Sequence, residues 1–600
     1  MKLKKILAAA SVLLMAAGMQ VFADDDWDWS FDDDSFSDSS TDNSTESASS
    51  GDDDFSSFGD GDDFASFGSD DGDDFASFDD DDFSSFGDDD FGGSSFGSSS
   101  DASDSSLPIT FTADFLLDTR YYLAEDDSKN FLRTYFNDPK AKTSARIGTR
   151  DSTDNWVGMH DSELTFMPKA KLGAEYSGSM ADAQLTLNLT KETLTDYRED
   201  ILDELIVRGY LFDRHLVVEA GKMKVVWGKG DKLHVLDNFN ADDYTDFIVP
   251  DYIDRRISTP MLRAVYSFDN ALAIEGVFTP FIPKDRFAKE GMWVPGSYAK
   301  LAYSVEEALR TNVKLGMLSE DDALSFDEDD LYPNVYNYSL KYAQGGLHVT
   351  GTAGMVDWGL SYYYGRYKQP SANVEDMLTS VMVNKAVEAK IAEIMASSMP
   401  PAQKKAYIDA AKKNITAIAL PKLSYDHKQT FGIEGATVVG RFNLRAEAGY
   451  NLTEDTKGDD PWVHNNSISW LAGFDIDIPI SNININVQET GTFILNSDKI
   501  KKGTFKEYDV DYDPKNRYTN NKLVINISDS WMHDKVKPEL TVLWGIERWD
   551  LVIQPKISYN PVPDVTLSLN AMCILCRNEY SEFAYWKNNN FINLGVRVKF

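Results

Sequence analysis

Charged residues recur in this 600-residue chain at strand spacing. In RFNLRAEAGY, Arg441, Arg445 and Glu447 share one parity, while Phe442, Leu444, Ala446, Ala448 and Tyr450 share the other. In FDIDIPI, Asp475 and Asp477 oppose Phe474, Ile476, Ile478 and Ile480. Successive strand side chains point to opposite faces, so each segment presents one charged face and one oily face. Fixed charges on the inner wall of a water-filled conduit sort ions by sign. On this reading Lys222, Lys224, Arg263, Arg441 and Arg445 form a positive lane set against Glu275, Glu447, Asp475 and Asp477. The plainer alternative is that such charges pair with one another and stay solvated.

Other chemistry finds less support. Asp231, Asp237, Asp242, Asp243 and Asp246 crowd one loop and together offer oxygens to a hard cation, but their spacing is not that of an EF-hand. A solvated loop, or one that caps its own backbone, is the better reading, and no metal is expected. The seven His stand at 160, 215, 234, 348, 427, 464 and 533, and none sits in a nucleophile motif such as G-x-S-x-G. His533 and Asp534 fall in an expected turn. Cys573 and Cys576, in AMCILCRN, lie three apart in a strand-like segment and so point to opposite faces, which suits neither a disulfide nor a metal pair. No catalytic constellation and no cofactor site is expected.

The elements that must position these residues are strands. LTLNLT (185–190), NININVQ (482–488) and VTLSLN (565–570) alternate as the two segments above do. A sandwich would have to place whole faces of carboxylates and guanidinia over many strands, whereas a closed barrel with lipid outside and water inside satisfies both faces. Connections alternate in length as well. SGSMADA (177–183), FDR (212–214), SFDNA (267–271), MVDWG (355–359) and NPVPD (560–564) read as short turns, separated by longer loops around 125–160, 228–258, 283–340 and 452–463. The expected fold is all-β, a transmembrane antiparallel barrel of about 16 to 18 strands beginning with LPITFTADFLLDTRYYL (107–123). One segment breaks the pattern: residues 374–418 carry two Ala-, Met-, Glu- and Lys-rich runs around Pro400-Pro401, a helical hairpin inserted in a long loop. Either it folds into the mouth or it stands outside as a binding surface.

The rest of the chain bounds where such a barrel would sit. Lys2, Lys4 and Lys5 precede an apolar stretch from Ile6 to Ala17, and Val21-Phe22-Ala23 supplies a cleavage site, so residues 1–23 read as an export signal too short to span a bilayer. Residues 24–106 hold 29 acidic residues and no Lys or Arg, with D-D-F-[S/A]-S-F at 53–58, 62–67, 73–78 and 81–86. Repulsion and the lack of aliphatic residues predict a disordered acidic extension. It serves as a plain linker, or its phenylalanines engage a periplasmic partner. The net charge of −40 disfavours nucleic acid.

The run LVVEAGKMKVVWGKGDKLHVLDNFNADDYTDFIVPDYIDRRISTPMLRAVYSF (216–268) resembles a large, poorly characterised family of Gram-negative and spirochaete-type outer-membrane barrels. In that family a strand ending in G-K-x-x-V-x-W-G leads into a loop carrying V-L-D and an Asn- and Asp-rich patch. The matching positions are Gly221, Lys222, Val225, Trp227, Gly228, Val235, Leu236, Asp237, Asn240, Asp242 and Asp243. The hairpin GLHVTGTAGMVDWGLSYYYG (346–365) and the strand LRAEAGY (444–450) are similar to it too. The resemblance implies a porin-like outer-membrane barrel over residues 107–600, and it names no solute. Strand parity then expects Lys222 and Lys224 in the lumen and Trp227 in an aromatic girdle facing lipid. The closing FINLGVRVKF, apolar on one parity up to Phe600, resembles the signal read by the barrel-assembly machinery. The resulting expectation is an outer-membrane channel for passive diffusion of small solutes, its acidic extension periplasmic. The alternatives are an adhesin or structural barrel with a plugged lumen, or an outer-membrane hydrolase.

Overall fold

The computed structural model describes residues 109–123 and 163–600, apart from positions 232, 250–251, 269–270, 289–292, 337–339 and 579. The export signal, the acidic extension and the loop expected at 125–160 lie outside the described residues. Among those described, 18 strands form one sheet: β1 (Ile109–Tyr122), β2 (Glu163–Ser177), β3 (Ala181–Leu189), β4 (Leu202–Leu211), β5 (Leu216–Met223), β6 (Thr259–Ser267), β7 (Leu272–Thr279), β8 (Gln344–Ala353), β9 (Val356–Arg366), β10 (His427–Val439), β11 (Phe442–Thr453), β12 (Ser467–Ile478), β13 (Ile483–Ile494), β14 (Thr519–Ser528), β15 (Val536–Gly545), β16 (Asp550–Val562), β17 (Val565–Cys576) and β18 (Phe591–Lys599). Each pairs antiparallel with the next, and β18 returns to β1 with Phe591 opposite Tyr122 and Lys599 opposite Asp114. The sheet therefore closes into an up-and-down barrel with no free edge.

The wall has its oily face outward. On β10, Phe431 and Ile433 are 48% and 57% exposed, while Thr430 before them and Glu434 after them are 2% and 3% exposed. On β12, Ile468 is exposed and its neighbours Ser467 and Ser469 are buried. A sheet with apolar side chains outside and polar ones inside is stable when lipid, not water, surrounds it. Short turns gather at one end of the barrel and long connections at the other. The turn expected at MVDWG is tighter than that stretch: Gly354, with φ of 66°, and Met355 make it, and Val356 already begins β9.

Eighteen strands spaced about 4.8 Å apart and tilted about 40° enclose a cylinder roughly 35 Å across between backbones. Side chains of the wall cannot fill that width, and the chain fills much of it with the connection between β5 and β6. Leu233, Phe239, Ala241 and Ile248 of that connection are all at 0% exposure. Leu233 and Ile248 seat against inward residues of the far wall, including Leu471, Val524, Leu543, Val552 and Ile574, while Phe239 packs with Trp227 and Tyr363. A loop expected outside the barrel is therefore its interior.

The other long connections cap the long-loop end. Helix α1 (Gly296–Lys314) lies between β7 and β8, where no helix was expected. Its buried Leu301, Ala302, Val305, Ala308 and Leu309 recur at helical spacing. Helices α2 (Glu375–Ala396) and α3 (Pro401–Lys412) form the hairpin expected between β9 and β10. Two asparagines then act as strand mimics. Asn312 donates to Ile418 O at 2.9 Å and accepts from its N–H at 2.7 Å, and Asn384 treats Thr416 the same way, at 2.9 Å for both bonds. They pin the segment returning from the hairpin, over a core of Val374, Met377, Ile418 and Trp462. Helix α3 itself buries no residue, whereas α2 buries Met377, Ser380, Asn384, Val387 and Ile394.

Beside that core the connection between β13 and β14 carries a buried acidic pair. Asp511 accepts from His464 Nδ1 at 2.9 Å and from Asn465 N at 2.6 Å. Burial, and then the neighbouring Asp511, push the Asp509 carboxyl up to about 8. Its folded-state value lies above the ordinary 3.8, so the stability this group contributes is fully present below about pH 4 and is lost as pH rises through about 8. Amide exchange at Val510 and Asp511 is expected to quicken between pH 5 and pH 9, after correction for intrinsic chemistry. Asp509→Asn should flatten that dependence, and an unchanged profile would disprove the assignment.

Candidate functional site

The loop between β5 and β6 enters the barrel through a turn that the sequence permits at one residue. Gly228 has φ of +116°, and a Cβ there would lie 2.4 Å from Glu447 Oε1. Glu447, buried on β11, accepts from the N–H groups of Lys229 at 2.7 Å, Gly230 at 2.5 Å and Val235 at 2.9 Å, with His234 Nδ1 at 3.7 Å. One carboxylate thus grips three amides that the descending chain would otherwise leave unsatisfied. Gln488 on β13 takes Leu233 N at 3.1 Å beside it.

Aromatic packing holds the same turn against the nearby β8–β9 wall. Trp227 is 1% exposed, edge-on to Phe239 with centroids 4.9 Å apart and 5.0 Å from the ring of His348. The expected lipid-facing girdle position is therefore corrected: β5 ends at Met223, and beyond it parity no longer assigns a face. Gly346 on β8 leaves the room, since a Cβ there would meet Trp227 at 2.8 Å and Phe239 at 3.0 Å.

Polar residues of the V-L-D and Asn-Asp stretch knit the loop to itself. Asn240 accepts from Val225 N at 2.8 Å and donates to Met223 O at 3.1 Å and Ile257 O at 2.9 Å. Arg256 joins Asp237, Tyr252 and Asp242, the last at 3.3 Å. The remaining aspartates reach the wall and rim as ion pairs. Asp246 takes Arg120 of β1 through both oxygens, at 2.5 and 2.9 Å, Asp254 takes Lys171 of β2 at 2.5 Å, and Asp243 takes Arg286 at 2.8 Å. Asp231 lies 3.3 Å from Arg445. The five clustered aspartates are therefore docking points for cationic side chains and not one ligand set. Among the described residues no group of His, Cys, Asp and Glu is arranged to hold a metal ion.

The charges expected to face one another across a pore are placed differently. Arg263 pairs with Glu275 at 2.7 Å and Glu219 at 2.9 Å along neighbouring strands, and His348 bridges toward Glu275 at 3.7 Å and Glu434 at 3.1 Å. Arg445 pairs with Asp475, while Asp477, exposed near a short turn, takes Asn484 at 2.9 Å. Lys222 lies opposite the outward Leu205, and its ammonium binds Asp200 at 2.8 Å at the rim. Arg441 is exposed in the turn between β10 and β11. Of these residues Lys224 lines the open space of the lumen, 3.5 Å from Asp203. His533 and Asp534 occupy a turn with positive φ, and Cys573 and Cys576 are free thiols within β17.

That open space is a cavity of about 540 Å³ between the folded-in loop and the inner faces of β1–β3 and β16–β18. Thr566 and Arg597 mark it near the short turns, and Lys191, Tyr197 and Arg286 at the long-loop rim. The seven residues from Phe591 to Arg597 alone cover about 20 Å of strand. The lane follows a change of polarity up the wall. Val552, Ile574 and Phe591 hold the loop toward the long connections, while Gln554 and Asn593, one step further along, and Ser558 and Ser568, nearer the short turns, line the open space. Sequence reading missed this side. Its signal was the shared parity of Lys169 and Lys171 in MPKAKLG and of Asp118 and Arg120 in β1, which means little until the barrel brings β1 beside β18.

Glu447→Ala leaves three amides without an acceptor and is expected to cost on the order of 3 kcal/mol of loop stability. Amide exchange at Lys229, Gly230 and Val235 checks this: exchange there should rise while that of β11 stays slow, and equal protection in both proteins would show that Glu447 is not the anchor.

No family model matches the chain, and no curated protein matches it. Among solved structures, a porin variant of Rh. blastica is similar at 10% identity, covering 82% of this chain and 100% of that one, with a TM-score of 0.31. Salmonella typhi OmpF in complex with daunomycin is similar at 6% identity, covering 82% and 97%, with a TM-score of 0.32. At these values the likeness carries no argument about activity, and the closed barrel stands on its own strand pairing.

Proposed function

We propose that the protein is a porin-like channel of the outer membrane that passes small solutes along a narrow lane beside a folded-in loop. The observation that carries this reading is the 540 Å³ cavity whose lining runs from residues next to the short turns to the long-loop rim. An outward apolar wall without a free edge supports placement in a bilayer. Short turns face the periplasm in such barrels, so both Ile109, where β1 begins, and Lys599, where β18 ends, stand at the periplasmic end. The acidic extension then emerges there. Phe600 pairs through its backbone with Ala113, at 2.8 and 3.0 Å, and presents a 67% exposed ring beside Phe115. That exposed ring fits a signal for the barrel-assembly machinery.

A plugged barrel with an adhesive outer surface is the second reading, favoured by the apolar seating of the loop and the exposed helix α3. Single-channel recording of the mature chain in a planar bilayer separates the two. Discrete openings of low conductance are expected, growing severalfold when residues 229–249 are replaced by a short Gly-Ser link. Stable insertion with no current, in both proteins, would sink the channel reading and favour the adhesive one.

A further inference from the structure

Glu489 sets a carboxylate on the lipid-facing side of the wall. On β13 it stands between the buried, inward Gln488 and Thr490, and it shares its face with Ile485 and Val487 toward the short turns and with Phe493 toward the long connections. Ala472 of β12 and Leu523 of β14 are its pairing neighbours. It accepts from Trp470 Nε1 at 3.2 Å, and among the described residues it forms no ion pair. A carboxylate in an apolar wall is costly under hydrocarbon and is stabilised by a donor brought from outside the chain.

The surrounding strands hold a donor placed so that a second copy would bring it there. Strand tilt makes the pairing rows climb toward the long connections by about one residue per strand from β9 to β13. Allowing for that climb, one level band of the outer wall holds Tyr364 of β9, Phe431 of β10, Ala448 of β11, Trp470 of β12 and Glu489 of β13. Ala448 is the small residue at its centre, and Ala446 follows it on the same face. To one side lie a phenyl ring and then a phenol; to the other lie an indole and then the carboxylate. Tyr362 donates to Gln429 at 2.8 Å, whereas the hydroxyl of Tyr364, a residue 43% exposed, makes no hydrogen bond among the described residues. A two-fold axis at Ala448 would set Ala448 on Ala448, Phe431 on Trp470 and the Tyr364 hydroxyl on Glu489, the last two contacts occurring twice. Small residues at the axis let two convex walls approach, so that the longer side chains two strands away reach across.

We infer that two copies of this chain pair in the membrane as a two-fold dimer through the outer face of β9–β13, with Tyr364 of each donating to Glu489 of the other. The inference rests on the bilayer placement of the wall and not on conduction.

The test uses the mature chain in lipid vesicles, with copper-phenanthroline as oxidant and heat-modifiable mobility as the separate reading of barrel insertion. Ala448→Cys stands at the axis and is expected to cross-link to its own copy, giving a product of twice the mass. Leu594→Cys, exposed on β18, and the parent chain with its free Cys573 and Cys576 control for chance collision and should stay monomeric. Adding Glu489→Leu or Tyr364→Phe to Ala448→Cys should cut the cross-linked fraction severalfold, because a two-fold axis duplicates each lost bond. Glu489→Gln keeps an acceptor and should retain most of it. If Glu489 meets only lipid, Glu489→Leu will leave cross-linking unchanged and make the barrel harder to unfold in urea, and that result overturns the inference. Inserted Ala448→Cys that links no more than Leu594→Cys overturns the dimer and leaves the bilayer placement standing. Failure of the parent chain to insert overturns both.

Discussion

A closed sheet of 18 strands has a fixed perimeter, and that perimeter sets the problem the rest of the molecule answers. Hydrogen bonding spaces the strands and tilt widens the circle, so the interior is several side chains wide whatever residues face it. Left empty it would be a broad aqueous pore. This chain instead turns the connection between β5 and β6 inward, and a descending backbone brings amides that need acceptors. Glu447 provides them, with Gln488 beside it.

The two sides of the folded-in loop are held by different forces. Toward β12–β18 it is seated by apolar contact, which excludes water. Toward β1 and β2 it is tethered by ion pairs such as Arg120 with Asp246 and Lys171 with Asp254. Ion pairs span a gap that water also occupies, whereas close packing closes it. The open lane therefore lies on the tethered side. Its narrowness follows from the loop.

Much of the barrel was legible because strand alternation is a local signal. Asp475 and Asp477 against Ile476 and Ile478 state a two-faced strand without help from the rest of the chain, and the alternating turn lengths state the direction of travel. The folded-in loop was not legible. Trp227 and the aspartates that follow it look like a surface stretch, and their burial depends on Gly346, Glu447 and Val552, which lie more than a hundred residues later. Charges on β10–β12 drew attention because they cluster in sequence. The lane draws instead on β1–β3, β16–β18 and the loop, which only closure of the barrel brings together. Helix α1 escaped notice because its apolar positions are mostly alanine and single leucines, weak in any short window.

The loop also sets an order of events for a chain synthesised from its N-terminal side onward. Residues 233–248 are synthesised well before Leu471, Val524, Leu543, Val552 and Ile574, against which Leu233 and Ile248 pack. For that interval the apolar side of the loop has no seat. Lumen filling and the joining of β18 to β1 are consequently late and coupled, and the vacant 18-strand cylinder need never be populated. The loop acts as a core around which the final third of the wall condenses, so a defect at Glu447 or Gly228 would register first as slow or incomplete closure and only afterwards as a change in the finished barrel.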